Sequence, residues 1–164
     1  MAHTFTQILI HCVFAVKNSG SLITPQAREI VEKYITGIVK NNHHKLLAIY
    51  CMPDHCHIII GLDPQQSISD LIRDVKANSS KWINGQKLFK AKFNWQDGYG
   101  AFSYSKSQLD TVVKYVLNQP RYHQKKCFKE EYHEILDKFN LEYDEIFYSN
   151  GLINVPPLGG REEH

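Results

Sequence analysis

Apolar and polar positions alternate near the start of the chain. Ile8, Ile10, Cys12, Phe14 and Val16 alternate with Gln7, Leu9, His11, Val13 and Ala15. Successive side chains of a strand point to opposite faces. Phe5 to Lys17 is therefore predicted as a strand with one fully apolar face and one mixed face. After a loop at Asn18-Ser19-Gly20-Ser21, Thr24-Pro25 has the character of an N-cap with proline at the first helical position. Ile30, Val31, Tyr34, Ile35, Ile38 and Val39 then recur at helical spacing, to about Lys40. Lys45 to Met52 and His55 to Leu62 are predicted strands, joined through Pro53-Asp54 as an antiparallel hairpin. Ser67 with Asp70 resembles a capping box. It opens a helix whose stripe is Ile68, Leu71, Ile72, Val75 and Trp82 or Ile83, with Arg73, Lys76 and Ser80 on the other side. Gly100 to Ser105 is a short strand, and Ser105 with Gln108 repeats the capping signal. Leu109, Val112, Val113, Val116 and Leu117 stripe the next helix, which Pro120 should end. A last amphipathic helix spans roughly Phe128 to Phe139.

The order strand, helix, strand, strand, helix, strand is the split βαβ, ferredoxin-like pattern. The expected fold class is α+β: an antiparallel sheet with two helices on one face. The opposite face is left for function or for an added helix. At 164 residues the chain has the length of one domain, taken as 1–142, with 143–164 a partly loose tail rich in Pro and Gly towards its end.

Charge modifies this picture. The formal net charge is +2, which alone argues weakly against nucleic acid. Residues 1–80 carry +1. Residues 81–126 carry 9 Lys/Arg against 2 Asp/Glu, or +7, and residues 127–164 carry 3 against 9, or −6. A basic block followed by an acidic one bears on partners. No apolar run approaches the roughly 18–20 residues of a membrane span. Met1-Ala2-His3-Thr4 lacks the basic start of a secretory signal. The four cysteines (Cys12, Cys51, Cys56 and Cys127) form no CxxC pair and are expected as reduced thiols of a cytoplasmic protein.

Three constellations carry chemistry. His55-Cys56-His57 places two imidazoles on one side of a strand, with Cys56, Ile58, Ile60 and Leu62 turned the other way. The imidazole pair suits a divalent metal, or is simply a solvent-facing pair; a zinc site using Cys51 or Cys56 is a further reading. Tyr115 and Gln119, four apart, share one side of a helix away from its apolar stripe. A tyrosine hydroxyl ionises near pH 10, so it needs a metal or cation nearby to become a nucleophile. Finally, Arg73, Lys76, Lys81, Lys87, Lys90 and Lys92, interleaved with Trp82, Phe89, Phe93 and Trp95, suit a single-stranded nucleic acid. A solvated basic surface over buried aromatics fits the same residues.

Order and spacing together resemble one family. Met52-Pro53-Asp54 followed by His55-Cys56-His57 is similar to the HUH motif of the IS200/IS605-type single-tyrosine transposases. Lys114-Tyr115-Val116-Leu117-Asn118-Gln119 resembles their nucleophile helix, and Phe14-Ala15-Val16-Lys17 and Gly98 to Ser103 also look like that family. The resemblance covers roughly residues 4–132. It departs at Cys56, where a larger aliphatic is usual, and in the longer tail, which looks more like the repeat-associated relatives. The resemblance implies that His55, His57 and Gln119 bind one Mg²⁺ or Mn²⁺. Tyr115 would attack single-stranded DNA with hairpin ends, giving a 5′-phosphotyrosine and a free 3′-OH, with no ATP. Tyr104 and Tyr122 are the fallback nucleophiles. His11, Lys17 and the basic residues above are candidate DNA contacts. It further implies a homodimer in the bacterial or archaeal cytoplasm, associated with the nucleoid, and no membrane. A repeat-associated site-specific endonuclease, or a non-catalytic ferredoxin-like binding module, are the alternatives.

Overall fold

The computed structural model of the chain describes residues 3–17 and 21–143. The loop residues 18–20 and the predicted tail from 144 onwards lie outside the described residues. Four strands form one antiparallel sheet: β1 (Leu9–Ala15), β2 (Lys45–Cys51), β3 (His55–Gly61) and β4 (Gly100–Tyr104). Their order is β2-β3-β1-β4, which is the ferredoxin-like arrangement anticipated above. Strands β1 and β3 are central and antiparallel, with Val13 opposite His57 and Ala15 opposite His55.

Helices α1 (Arg28–Asn41) and α2 (Ile68–Gly85) cover one sheet face. The predicted alternation of β1 holds. Ile10, Cys12, Phe14 and Val16 join Cys56, Ile58 and Ile60 in the main core, against Val31, Ile35, Leu71, Ile72 and Val75. Ser67 caps α2 by accepting from the Asp70 backbone N–H. Helix α1 begins three residues later than Thr24-Pro25 implied. Thr24 instead closes a turn ahead of it, accepting the Ala27 N–H on its hydroxyl and the Ala27 and Arg28 N–H groups on its carbonyl.

The opposite face is not open. Helix α3 (Leu109–Leu117), entered through a 3-10 turn (Lys106–Gln108) with the full Ser105/Gln108 capping box, lies over β2 and β3. Val112 and Val116 of α3 pack on Ala48 and Ile59. Helix α5 (Phe128–Lys138) lies over β1 and β4, with Phe128, Ile135 and Leu136 on Val13, Ala15 and Phe102. Between them, the short α4 (Gln119–Tyr122) carries Pro120 in its first turn. Pro120 therefore opens a new helical turn after a break at Asn118, where an end was expected; proline is tolerated there because a first-turn N–H has no intrahelical partner.

Close packing under α5 is visible at Gly100. A Cβ there would lie 2.8 Å from the Phe102 ring and 2.9 Å from the Tyr132 hydroxyl. Gly100→Ala should therefore cost about 1–3 kcal/mol through overpacking, read from the denaturant midpoints of the two proteins. An unchanged midpoint would show that α5 does not sit this tightly on β4.

Candidate active site

The two helices on the second face leave a seam between their apolar clusters. Strand alternation sends His11 of β1 and His55 and His57 of β3 into that seam, and Cys56 into the opposite core. From above, α4 contributes Gln119, the turn after it His123, and α5 contributes Glu131. His11, His55, His57, Gln119 and Glu131 are fully buried and His123 nearly so.

Glu131 is the hub. Its Oε1 lies 3.1 Å from His57 Nε2, 3.3 Å from His55 Nε2 and 3.2 Å from His123 Nε2. Its Oε2 accepts from Gln119 Nε2 at 2.8 Å and from the Tyr115 hydroxyl. The amide oxygen of Gln119 faces His55 Nε2 at 3.0 Å and His123 Nε2 at 2.8 Å. The other ring nitrogen of His55 is held by Asp54 Oδ1 at 2.7 Å, and that of His57 by His11 Nε2 at 2.7 Å. The Phe128 ring stacks on His55 at 4.0 Å. The nearest donor atoms of His55, His57 and Glu131 all lie within 4.8 Å of one another.

Electrostatics follow from burial and pairing. Burial alone would lower the His55 pKa, but hydrogen bonds to Asp54 and Glu131 outweigh it and raise the group to about 10. Burial lowers His57, with Glu131 opposing only in part, and burial and His57 together hold His11 neutral. Burial would raise Glu131, yet His57, His123 and His55 hold it well below the ordinary carboxylate range. Burial and the neighbouring Glu131 charge push the Tyr115 phenol far above its usual value.

The structure thus brings Tyr115, His55, His57 and Gln119 together within one chain. Several other expectations are corrected. His11 does share the face of His55 and His57, but it is sealed beneath α3 and α5 and offers no surface to DNA. Lys76 donates to the Gln96 carbonyl at 2.8 Å and to the Gly98 carbonyl, so it pins the β4 approach. Of the two readings of the interleaved aromatics, the packing favours the inward one for Phe93, Trp95 and Trp82. Phe93 and Trp95 lie in the core, Trp95 Nε1 donates to Ser79 Oγ at 2.8 Å, and Trp82 stacks on Tyr34 at 4.4 Å. Lys17, Lys81, Lys87, Lys90 and Lys92 are exposed. Arg73 is exposed too, paired with Asp70 at 3.1 Å. A zinc site using Cys56 with the histidines is ruled out by its opposite orientation.

Glu131, His123 and Asp54 were not singled out from the sequence. Glu131 sits between Phe128 and Ile135 on the buried stripe of its helix, and a carboxylate in an apolar stripe is the signal that marks it. His123 continues the four-residue spacing of Tyr115 and Gln119.

With this geometry in place, the comparisons with known proteins are decisive. A model of the family described as "Transposase IS200 like" matches residues 4–119. The chain belongs to the IS200-like transposase family. It is 22% identical over 119 residues to the ISDra2 transposase TnpA of Deinococcus radiodurans, covering 69% of this chain and 84% of that protein. It is 23% identical over 128 residues to the transposase for insertion sequence element IS200 of Salmonella typhimurium, covering 74% and 84%. The fold also matches the structure of a REP-associated tyrosine transposase bound to a REP hairpin. That match has a TM-score of 0.57 at 15% identity and covers 75% of this chain and 73% of that one. As a family member the chain is a single-tyrosine transposase, acting on DNA through a tyrosine–phosphate linkage. Glu131 lies beyond the family-matched residues. Among the described residues, no helix is long and apolar enough to cross a membrane.

The pairing predicts a pH signature for the metal-free protein. His55 has a folded pKa above its ordinary 6.5, so its stabilising contribution is complete below 6.5 and lost as pH rises through about 10. Glu131 has a depressed folded pKa, so its contribution is present above its ordinary 4.5 and lost as pH falls through the folded value. Thermal melts in chelator from pH 4 to about 10.5 should show stability falling on the alkaline side, with a shallower fall in Glu131→Gln. Parallel curves for the two proteins would contradict the pairing.

Proposed function

We propose that this chain cleaves and rejoins single-stranded DNA at hairpin-bearing ends, with Tyr115 as nucleophile and with His55, His57, Glu131 and Gln119 as the metal-binding set. The observation that carries this reading is the convergence of the Tyr115 hydroxyl, the Gln119 amide and both β3 imidazoles on one buried carboxylate.

The donors fit a divalent cation. Two imidazole nitrogens and two side-chain oxygens face one another, and each imidazole is oriented from behind, His55 by Asp54 and His57 by His11. This nitrogen-rich set suits Mn²⁺ at least as well as Mg²⁺. A cation held there would polarise the scissile phosphate and stabilise charge on its oxygens.

The chain's own residues position the nucleophile. The Tyr115 phenol donates to Glu131 Oε2, which fixes the attacking oxygen beside the imidazoles and gives its proton a place to go; the same carboxylate keeps the phenol protonated until a cation at the site offsets its charge. Attack of Tyr115 Oη on phosphorus forms the 5′-phosphotyrosine bond and breaks the bond to the 3′ oxygen, which leaves as a 3′-OH after taking up a proton. The covalent bond keeps the phosphodiester energy for rejoining. The exposed lysines 17, 81, 87, 90 and 92, with Arg73, would track the DNA backbone. The fallback tyrosines are less well placed: Tyr122 donates to Glu134 and Tyr104 packs beside Phe139. The alternative of a non-catalytic ferredoxin-like binding module loses support because α3 and α5 cover the sheet face it would use. A homodimer remains part of the proposal, with each chain carrying a whole site. Sedimentation at twice the 19.0 kDa chain mass supports it, and a single-chain mass removes it.

Incubation of a single-stranded hairpin oligonucleotide with protein and Mn²⁺ should yield an SDS-stable adduct. Tyr115→Phe should lose the adduct entirely while DNA binding stays within a few-fold, and His57→Ala should lose metal-dependent cleavage. An adduct retained in Tyr115→Phe would overturn the nucleophile assignment.

A further inference from the structure

Among the described residues, His11 is the one buried imidazole of the seam that touches neither Glu131 nor Gln119. It lies opposite Phe102 on β4 and stacks on His57 with centroids 5.0 Å apart. Its Nε2 is 2.7 Å from His57 Nδ1. Its own Nδ1 is, among the described residues, the buried side-chain polar atom with no hydrogen-bond partner. Phe102, Tyr104 and Tyr115 surround the ring, each with its centroid 6.1–6.2 Å away.

Two neutral imidazoles in contact hold one N–H each, and one of those protons lies between them. In the metal-free arrangement His57 Nε2 donates to Glu131 Oε1 at 3.1 Å. His57 Nδ1 is then bare and accepts from His11 Nε2–H. The partnerless His11 Nδ1 then carries only a lone pair, the less costly atom to leave unpaired. A cation on His57 Nε2 requires the reverse. The His57 proton must sit on Nδ1, and the atom positioned to accept it is His11 Nε2.

We propose that His11 is the positioning residue for His57, accepting its Nδ1–H so that Nε2 is free to ligate. Each ring keeps one proton; the proton changes nitrogen on both. The proposal rests on the metal-site reading above. It also explains why a histidine is buried on β1 where the rest of the strand is apolar.

The test measures Mn²⁺ affinity by calorimetry, without DNA, for the wild type and three variants. His11→Leu keeps volume and removes the acceptor, and should weaken Mn²⁺ about 10–100-fold. His11→Gln places an oxygen near the position of Nε2 and should bind within about threefold of wild type. His57→Ala should lose the ion. If His57→Ala or wild type shows no metal-specific difference, the metal site itself fails. If His57→Ala loses Mn²⁺ but His11→Leu does not, or if His11→Gln is as weak as His11→Leu, the positioning role fails alone. Should His11→Leu not fold, ¹⁵N-histidine NMR of the wild type with Mg²⁺ decides. Protonated Nδ1 on both rings supports the proposal, and a protonated His11 Nε2 in the metal-bound protein overturns it.

Discussion

A carboxylate sealed from water must be matched on both oxygens, and Glu131 imposes that condition on the second face of the sheet. Removing one partner of a buried charged pair costs about 3–5 kcal/mol, so its neighbours are tightly constrained. Three imidazoles lie against Oε1, and an amide and a phenol against Oε2. These groups arrive from β3, the end of α3, α4 and the turn beyond it. One residue of α5 therefore fixes the relative placement of three other elements. The apolar clusters on either side of the seam supply the burial that makes the condition strict.

That arrangement gives each ring a defined job. His55 is clamped from behind by Asp54, His57 by His11, and His123 by the Lys126 carbonyl at 2.7 Å. Imidazoles so held have little freedom to rotate, and ligand orientation of this kind is what tunes a metal site. The same carboxylate that faces the imidazoles also receives the Tyr115 hydroxyl. The Tyr115 oxygen, the Gln119 amide and the two β3 imidazoles are thus positioned by one side chain, within a single chain.

The fold was legible because the relevant signals are local. Period-two alternation in β1 and β3, helical spacing in α1 and α2, and two Ser-led caps each depend on neighbours in sequence. His55 and His57 were legible for the same reason, since a spacing of two puts both on one side of β3; the spacing of four brings Tyr115 and Gln119 together even though the helix breaks between them at Asn118. What was missed is long-range. Whether His11 meets DNA or His57 depends on what covers β1, and that is decided by α5 over a hundred residues later. The basic, aromatic connection stayed open between two readings for the same reason, since composition does not show that Phe93 and Trp95 turn inward to fill the core beside Phe14. The acidic block bears on more than partners, since Glu131 from that block lies at the centre of the buried cluster.

The most direct measurement of the central claim is anomalous diffraction from a crystal of this protein containing Mn²⁺. The account predicts one strong peak bonded to His55 Nε2, His57 Nε2 and a Glu131 oxygen, with Tyr115 still over the site. A peak held by the two histidines and Gln119 while Glu131 has swung away would contradict the claim that this carboxylate organises the site.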